Sequence, residues 1–421
     1  MKALFSFLAC FLCLSAMAQD ASKLTSGPWQ GRLHRKDGVD IVFNFEVKDS
    51  AGKKVIYIIN GGERLLVDQV EVTKDSVNFK MPFFDSEFRT RFEGTRVLQG
   101  YWIRHLGGPV GMPFAFTAIQ GITERFPVAG PTKRKIGGRW ATYFITPKDT
   151  AFAVGEFTQT GSKVTGTFLT PTGDYRFLEG SISGDTLSLS TFDGSHAYVF
   201  QAHIDGDKTL SDGIFYGGFS NTEKWYANKD KKAALPAETA LAGMRPGQKK
   251  LDFAYNDLNG HKVSINDPAY KGKVVIVTLL GSWCPNCMDE NAYLGKWYKE
   301  NKARGVEIIG LAYERTTDST KSKESLQPFI KRFGITYPIL LTGVTSGDPA
   351  KGSRTLPQLT DIKGFPTTIF IGKDGNVKEV HTGFSGPGTG EHYETFKKEF
   401  NQLVDHLLKQ ELTPAKPATA K

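Results

Sequence analysis

Cysteine is scarce in this chain of 421 residues, which contains four: Cys10, Cys13, Cys284 and Cys287. A scaffold held by disulfides carries many cysteines for its size, and a structural zinc site needs about four ligands. Cys284 and Cys287 have no further cysteine and no histidine pair at ligand spacing nearby. The cysteine content therefore excludes a disulfide-stapled scaffold and argues against a zinc site.

Two cofactor signals are also missing. Met288 follows Cys287, whereas c-type haem attachment needs a histidine directly after the second cysteine. The glycine-rich stretch 383–390 does not end in the lysine and serine or threonine of a phosphate-binding loop. The sequence thus predicts no metal, haem or nucleotide cofactor.

Positive charge is in excess, with a formal net charge of +9, but it is not concentrated in one place. Short basic runs at 133–135, 229–232 and 249–250 fall where domains are expected to join, and such runs are usually solvated linkers. We therefore predict no nucleic-acid partner.

The first 18 residues have the pattern of a secretory signal peptide. Lys2 precedes an apolar stretch from Leu4 to Leu14, and the small residues Ala16-Met17-Ala18 form a cleavage site. The apolar stretch is too short to span a bilayer. Lipid attachment at Cys10 is the competing interpretation, although little chain precedes that cysteine. We expect export to the periplasm or cell envelope, which leaves Cys284 and Cys287 as the only thiols of the mature chain.

The two remaining cysteines follow a strongly apolar run. Val274–Leu280 is typical of a buried strand, and the residues after Gly281-Ser282-Trp283 have helical spacing. A cysteine on the first turn of a helix ionises more readily, because the helix dipole and free backbone N–H groups favour an anion. Cys284 is so placed, and Cys287 lies on the same face, where it can attack a mixed disulfide formed at Cys284. The pattern favours a redox dithiol over an inert structural disulfide.

The motif Trp283–Cys287, together with Gly364–Thr368 and the turn Gly372–Gly375, resembles the thioredoxin superfamily. More narrowly, it resembles the extracytoplasmic thiol–disulfide oxidoreductases of the TlpA/ResA type, over about residues 247–410. The resemblance implies an α/β fold with a mixed sheet and flanking helices, and disulfide-bonded protein substrates. It also implies an electron-donating membrane thiol protein if the enzyme is a reductant. The direction of electron flow remains open.

The resemblance also implies roles for individual residues. Cys284 and Cys287 would form the redox disulfide, and Pro366 would be a cis proline that faces it and helps Phe365 dock a substrate chain. Trp283 and Pro285 would border the same substrate surface. A carboxylate near the resolving thiol could accept its proton if burial raised the carboxylate pKa. The family match gives this role to Glu290, whereas the plainer interpretation is a solvated helix residue.

The region before this domain is predicted to be β-structure from about residue 24 to residue 228, with alternating segments between turn residues. A weak repeat relates Gly27-Pro28-Trp29 to Gly138-Arg139-Trp140, and Phe84-Asp85-Ser86 to Phe192-Asp193-Gly194. The copies are expected to be antiparallel barrels or sandwiches with a ligand or partner that the sequence does not identify. Their tryptophans are expected to pack in the cores: Trp29, Trp102, Trp140 and Trp225.

The full prediction is a multidomain protein. It comprises a signal peptide (1–18), β-rich repeats (24–126 and 137–228), a linker (229–247), a thioredoxin-like domain (248–410) and a disordered tail (411–421). The predicted function is that of an exported thiol–disulfide oxidoreductase that reduces disulfides of extracytoplasmic proteins, with oxidation or isomerisation of those disulfides as alternative reactions. Two alternatives stay open. One is a protein whose β repeats bind a ligand or partner and whose dithiol regulates that binding. The other is a thiol peroxidase with antioxidant activity, although the Thr-x-x-Cys motif of such enzymes is absent.

Overall fold

The computed structural model describes residues 24–105, 111–146, 149–236 and 242–410. The predicted signal peptide (1–18) and tail (411–421) lie outside these residues. Within the described ranges, no helix has both the length and the apolar character needed to cross a membrane.

The first β-rich copy, called repeat 1, is one antiparallel sheet of nine strands. The strands are β1 (Gly27–His34), β2 (Asp40–Ser50), β3 (Lys53–Asn60), β4 (Glu63–Val67), β5 (Gln69–Val72), β6 (Ser76–Lys80), β7 (Ser86–Glu93), β8 (Val97–Arg104) and β9 (Met112–Gln120). Their order across the sheet is β4-β3-β2-β1-β9-β8-β7-β6-β5. Strands that follow each other in sequence are paired, except that β4 and β5 are not paired and lie at opposite edges of the sheet. Because β1 also pairs with β9, the sheet curls into a barrel that is left open between β4 and β5.

Repeat 2 has the same strand order. It contains β10 (Gly138–Ile145), β11 (Thr150–Thr160), β12 (Lys163–Thr170), β13 (Gly173–Asp174), β14 (Leu178–Ser183), β15 (Thr186–Phe192), β16 (Ala197–Asp205), β17 (Thr209–Gly217) and β18 (Asn221–Lys229). Here β12 pairs with β14 as well as with the very short β13. With β10 bonded to β18, eight strands close into a complete up-and-down barrel.

Aromatic side chains fill both barrels. The four tryptophans predicted to lie in the cores are at most 1% exposed, which confirms that expectation. In repeat 2, Trp225 packs against Phe144 and Phe168 with ring centroids 6.1 and 5.5 Å apart. Phe192 of repeat 2 enters the core of repeat 1, where it stacks on Phe43 at 4.2 Å. The two repeats therefore share one aromatic core at their junction.

The remaining elements form an α/β domain with a seven-stranded mixed sheet, called the dithiol domain. Its strands are β19 (Ala254–Asp257), β20 (Lys262–Ser264), β21 (Val274–Leu280), β22 (Val306–Ala312), β23 (Ile339–Leu341), β24 (Thr367–Ile371) and β25 (Val377–Thr382). Its helices are α1 (Pro285–Asn301), α2 (Ser319–Phe333), α3 (Lys351–Thr355) and α4 (Glu391–Lys409). The sheet order is β20-β19-β23-β22-β21-β24-β25, in which β21, β22 and β23 run parallel and β24 runs antiparallel to β21.

The central strand and its helix follow the sequence pattern. All seven residues of β21 are buried, as expected for a strand covered on both faces. The sequence pattern predicts a strand over 306–312, a helix over 325–333 and a strand over 362–371, and two of these boundaries differ in the structure. Helix α2 begins at Ser319 rather than Ser325, because Asp318 caps its polar first turn. Strand β24 begins at Thr367 rather than Ile362, since the backbone before it forms the loop that carries Pro366.

Candidate active site

The two cysteines form a disulfide at the start of α1. Cys284 is the N-cap residue, and its sulfur lies 3.2 Å from the backbone N–H of Cys287, which donates to it. The Cα atoms of the pair are 5.2 Å apart. Pro285 occupies the first helical turn, where a missing backbone N–H costs nothing. The predicted pairing and the predicted strand-to-helix corner are both confirmed.

The loop before β24 faces this disulfide. The Phe365–Pro366 peptide is cis, as the family resemblance implied. The Cys284 Sγ lies 3.6 Å from the carbonyl oxygen of Phe365, and the Phe365 ring packs edge-on against Trp283 at 5.7 Å. Cys284, Trp283, Phe365 and Pro366 are thus brought together, as predicted from the sequence.

Trp283 is held from the side of β22. Its indole Nε1–H donates to the carbonyl oxygen of Tyr313 at 2.8 Å, and the Arg315 guanidinium lies 5.3 Å from its ring centre. Beside it, the Glu314 carboxylate accepts two hydrogen bonds from Ser282, one from the backbone N–H and one from the hydroxyl. Burial raises the pKa of Glu314. A cavity of about 430 Å³ lies between Trp283 and the residues 81–85 of repeat 1.

Glu290 lies one helical turn beyond Cys287 and is 2% exposed, so it is not a solvated residue. Its two oxygens accept hydrogen bonds from the hydroxyls of Thr278, at 2.6 Å, and Thr368. Burial is the main cause that raises the Glu290 pKa to about 7, against the opposing effect of both hydroxyls. The carboxyl also borders a cavity of about 740 Å³ that includes His381. This group can therefore gain or lose a proton near neutral pH.

A loop of repeat 2 lies across the dithiol, and we call residues 171–177 the covering loop. In the amide orientation that satisfies both groups, Asn286 donates to the carbonyl of Asp174 at 3.2 Å and accepts from its N–H at 2.9 Å. The carboxylate of Asp174 accepts from the Gly386 N–H at 2.8 Å. Cys284 is 4% exposed and Cys287 is fully buried. Both sulfurs are therefore buried, and repeat 2 contacts the side chain of Asn286, which lies between the two cysteines in sequence.

Arg176 in the covering loop joins three parts of the molecule. Its guanidinium contacts Asp289 of α1 at 2.8 Å, Glu63 of repeat 1 at 2.6 Å and Asp193 of repeat 2 at 2.9 Å. Burial alone would lower the Arg176 pKa, but the three carboxylates raise it well above its usual value. Burial is the main cause that raises the pKa of Glu63; Arg176 opposes it, and the neighbouring Asp193 and Asp289 carboxylates add to it. A buried, charged junction therefore lies two residues beyond Cys287.

Sequence reasoning missed this junction. It assigned no role to Asp289, Asp174 or Arg176. No local signal could identify them, because two of the three partners of Arg176, Glu63 and Asp289, each lie 113 residues away along the chain. Among the described residues, no group of three or more histidine, cysteine, aspartate or glutamate side chains is placed to hold a metal.

Comparisons with known proteins agree with this geometry. The Redoxin family matches residues 245–396. Thiol-disulfide oxidoreductase ResA of Halalkalibacterium halodurans is 31% identical over 147 residues, covering 35% of this chain and 73% of that protein. ResA of Bacillus subtilis (strain 168) is 30% identical over 137 residues, covering 32% and 67%. A solved thiol:disulfide interchange protein of the thioredoxin family from Chlorobium tepidum is 24% identical, with a TM-score of 0.29, covering 39% of this chain and 99% of its own.

Proposed function

Because this chain belongs to the TlpA/ResA-type thiol–disulfide oxidoreductases of the thioredoxin superfamily, we propose that it reduces disulfide bonds in exported proteins. The observation that carries the proposal is the cap position of Cys284, whose sulfur receives a backbone N–H at 3.2 Å. That contact and the helix dipole stabilise a thiolate.

The reaction transfers two electrons from the dithiol to the substrate. The Cys284 thiolate attacks one sulfur of the substrate disulfide, which forms a mixed disulfide and releases the other sulfur as a thiolate. Cys287 loses its proton and attacks the Cys284 sulfur, so that the second substrate thiolate leaves and the Cys284–Cys287 disulfide forms. A membrane thiol protein returns the dithiol to its reduced form.

Glu290 accepts the proton that Cys287 must lose. Its carboxyl is buried beside the dithiol helix, and its pKa of about 7 suits proton exchange at neutral pH. Phe365 and Pro366 hold the substrate chain next to Cys284, while Trp283 and Pro285 border the same surface. Export to the periplasm or cell envelope, where disulfides persist, supplies the substrates.

The decisive experiment follows reduction of a disulfide-bonded protein, such as insulin, by the reduced full chain. Cys284→Ala is expected to abolish the reaction, whereas Cys287→Ala is expected to accumulate a mixed disulfide that mass spectrometry detects. Peroxide consumption without insulin reduction would assign the chain to the thiol peroxidases instead. No reaction with either substrate would favour a binding protein.

The direction of electron flow is tested by the reduction potential of the dithiol. Across this fold the potential runs from about −270 mV for a reductant to about −120 mV for an oxidant. We expect a value below about −200 mV by equilibration with glutathione. A value near that of the oxidants would reverse the proposed direction.

The role of Glu290 is tested by Glu290→Gln, with Glu300→Gln on the exposed part of the same helix as the control. The glutamine variant is expected to lose the inflection near pH 7 in the rate of the resolving step, because no carboxyl then accepts the proton. The control is expected to keep it. An unchanged pH profile in Glu290→Gln would remove this residue from the mechanism.

A further inference from the structure

The covering loop contacts the dithiol domain on three sides of the disulfide. Asp174 pairs with Asn286, which lies between the two cysteines. Thr172 packs against Gly364, two residues before the cis proline, where an added Cβ would lie 3.1 Å from the Thr172 Cβ. Gly388 touches the backbone of Arg176 closely enough that a Cβ there would lie 2.8 Å from its carbonyl carbon. The loop thus contacts residues that are close in sequence to both Cys284 and Pro366, the two positions assigned above to substrate exchange and docking.

The dithiol domain makes a specific contact with each of three residues in this loop. Gly173 fits because a Cβ at this position would lie 1.8 Å from the terminal amide atom of Asn286 that accepts from the Asp174 N–H. The Asp174 carboxylate is bound by the Gly386 N–H, and the Arg176 guanidinium is bound at two of its nitrogens by Asp289, at 2.8 and 3.1 Å. These contacts define a pattern of glycine, acid, any residue and arginine.

The contacts between the covering loop and the dithiol domain are polar, as expected for a segment that another chain can displace. Interfaces between domains of one chain resemble transient protein–protein interfaces, which are more polar than those of permanent complexes. A buried ion pair adds more to the selectivity of such an interface than to its net stability. The covering loop offers hydrogen bonds and one guanidinium to the dithiol domain. A second chain with the same groups could replace each of these contacts one for one.

Resting on the proposed function, we propose that the surface formed by Asn286, Asp289 and Gly386 is a peptide-recognition site for substrate. The segment it accepts is extended and carries a glycine, an acid directly after it and, two positions after the acid, an arginine. The covering loop fills this site as an internal competitor. A protein disulfide reaches Cys284 only after its own segment displaces the loop.

The first test adds a side-chain atom in the full chain where the dithiol domain contacts the covering loop. Gly388→Ala adds a Cβ whose three nearest neighbours all belong to Arg176, so the clash falls on the loop. Gly347→Ala is the control, since a Cβ there meets nothing within 4 Å. We expect insulin reduction to become about tenfold faster in Gly388→Ala and to stay unchanged in Gly347→Ala. Hydrogen exchange of the Gly386 amide, which Asp174 protects, should accelerate in the first variant alone.

A second variant empties the site without altering the surface of the dithiol domain. Asp174→Ala removes the carboxylate that Gly386 binds, and it is also expected to accelerate insulin reduction. The free peptide Pro-Thr-Gly-Asp-Tyr-Arg-Phe, which copies the covering loop, should then slow this variant at least twofold at millimolar concentration. A matched peptide with valine in place of glycine should have no effect, because its side chain would meet Asn286.

Three outcomes would overturn the inference. The first is faster Gly386 exchange in either variant with no gain in the rate of insulin reduction. The second is unchanged Gly386 exchange in both variants, which would mean that these contacts do not hold the loop. The third is equal inhibition by the two peptides. Failure of the proposed function would look different, since the unaltered chain would then exchange with no disulfide at all, including oxidised dithiothreitol.

Discussion

Repeat 1 and repeat 2 share one strand order but differ at a single hairpin. In repeat 1, β4 has five residues and pairs fully with β3, and no ladder joins β4 or β3 to β5 in this described region. In repeat 2 the equivalent β13 has two residues, and β12 continues beyond it to pair with β14. The shorter strand therefore accompanies a closed barrel, and Arg176, two residues beyond it, contacts α1.

The repeats also differ in how each uses a buried arginine. Arg125, which follows repeat 1, donates to neutral acceptors that include the carbonyl of Ser190 at 3.0 Å and the side-chain oxygen of Asn44 at 3.2 Å. Burial lowers the pKa of Arg125 to about 10. Arg176 faces three carboxylates instead. One arginine joins the repeats to each other, and the other joins them to the active site.

The largest effect is expected at Arg176. Arg176→Met leaves Glu63, Asp193 and Asp289 without their shared cation, and breaking a buried ion pair costs about 3–5 kcal/mol. Urea unfolding of the full chain measures the loss. Arg89→Met in repeat 1, whose guanidinium is 64% exposed beside Glu87, should change the unfolding free energy little. Equal losses of unfolding free energy in the two variants would show that the buried ion pairs of Arg176 contribute no more to stability than an exposed pair.

The shared aromatic core should be nearly as sensitive. Phe192 of repeat 2 packs on Phe43 at 4.2 Å and on Trp102 at 5.1 Å, both in repeat 1. Phe192→Ala is expected to cost about 3–4 kcal/mol, as for other buried phenylalanines. Calorimetry should show both repeats shifting together in one transition, whereas Tyr101→Ala, at a 52% exposed ring, should shift little. A shift confined to one of two separate transitions would contradict a common core.

A smaller effect concerns pH and repeat 2. Burial raises the pKa of Asp174 to about 6, so between about pH 4 and pH 6 the unfolded chain loses a proton that the folded chain keeps. Stability from this group is complete below pH 4 and is lost as pH rises to 6, by about 2–3 kcal/mol at 1.36 kcal/mol per pKa unit. Asp174→Asn should remove that part of the pH dependence in urea unfolding at pH 4 and pH 7.

The control for the pH effect is Glu71→Gln, at an exposed position in repeat 1. It should leave the difference in unfolding free energy between the two pH values unchanged. The assignment to Asp174 fails if its variant retains the full difference.

The smallest effect is expected where repeat 1 meets the dithiol domain. Phe83 stacks on Phe333 with ring centroids 5.2 Å apart, at the edge of the cavity beside Trp283. Phe83→Leu should cost about 1 kcal/mol, which is the usual contribution of an aromatic pair. The alkylation rate of the reduced Cys284 should not change, because Asp174 of repeat 2, and not Phe83, contacts the segment between the two cysteines. A faster alkylation in Phe83→Leu would show that repeat 1 also limits access to Cys284.

Much of the dithiol domain could be predicted from local sequence. Strands β21 and β22 coincide with the apolar runs Val274–Leu280 and Val306–Ala312, because a strand buried on both faces has to be apolar throughout. Helix α2 was predicted six residues too short, since its first turn is polar and has no apolar spacing. The β-rich repeats were recognised as a class, but alternation along a strand cannot distinguish a sandwich from a barrel. That choice depends on which strand ends meet, as β10 and β18 do here.

The sequence by itself determined the chemistry of this protein: two cysteines at redox spacing, a strand that leads into their helix and a proline loop with a characteristic motif. Only the tertiary structure decided which segments of the chain lie against the dithiol domain. Arg176 and Asp174 acquire their roles only when a loop of repeat 2 packs against α1 and the loop around Gly386. The physical reason is that contacts between residues more than 100 positions apart leave no periodicity or spacing in the chain. Burial, which raises the Glu290 pKa to about 7, is likewise a property of the packed molecule.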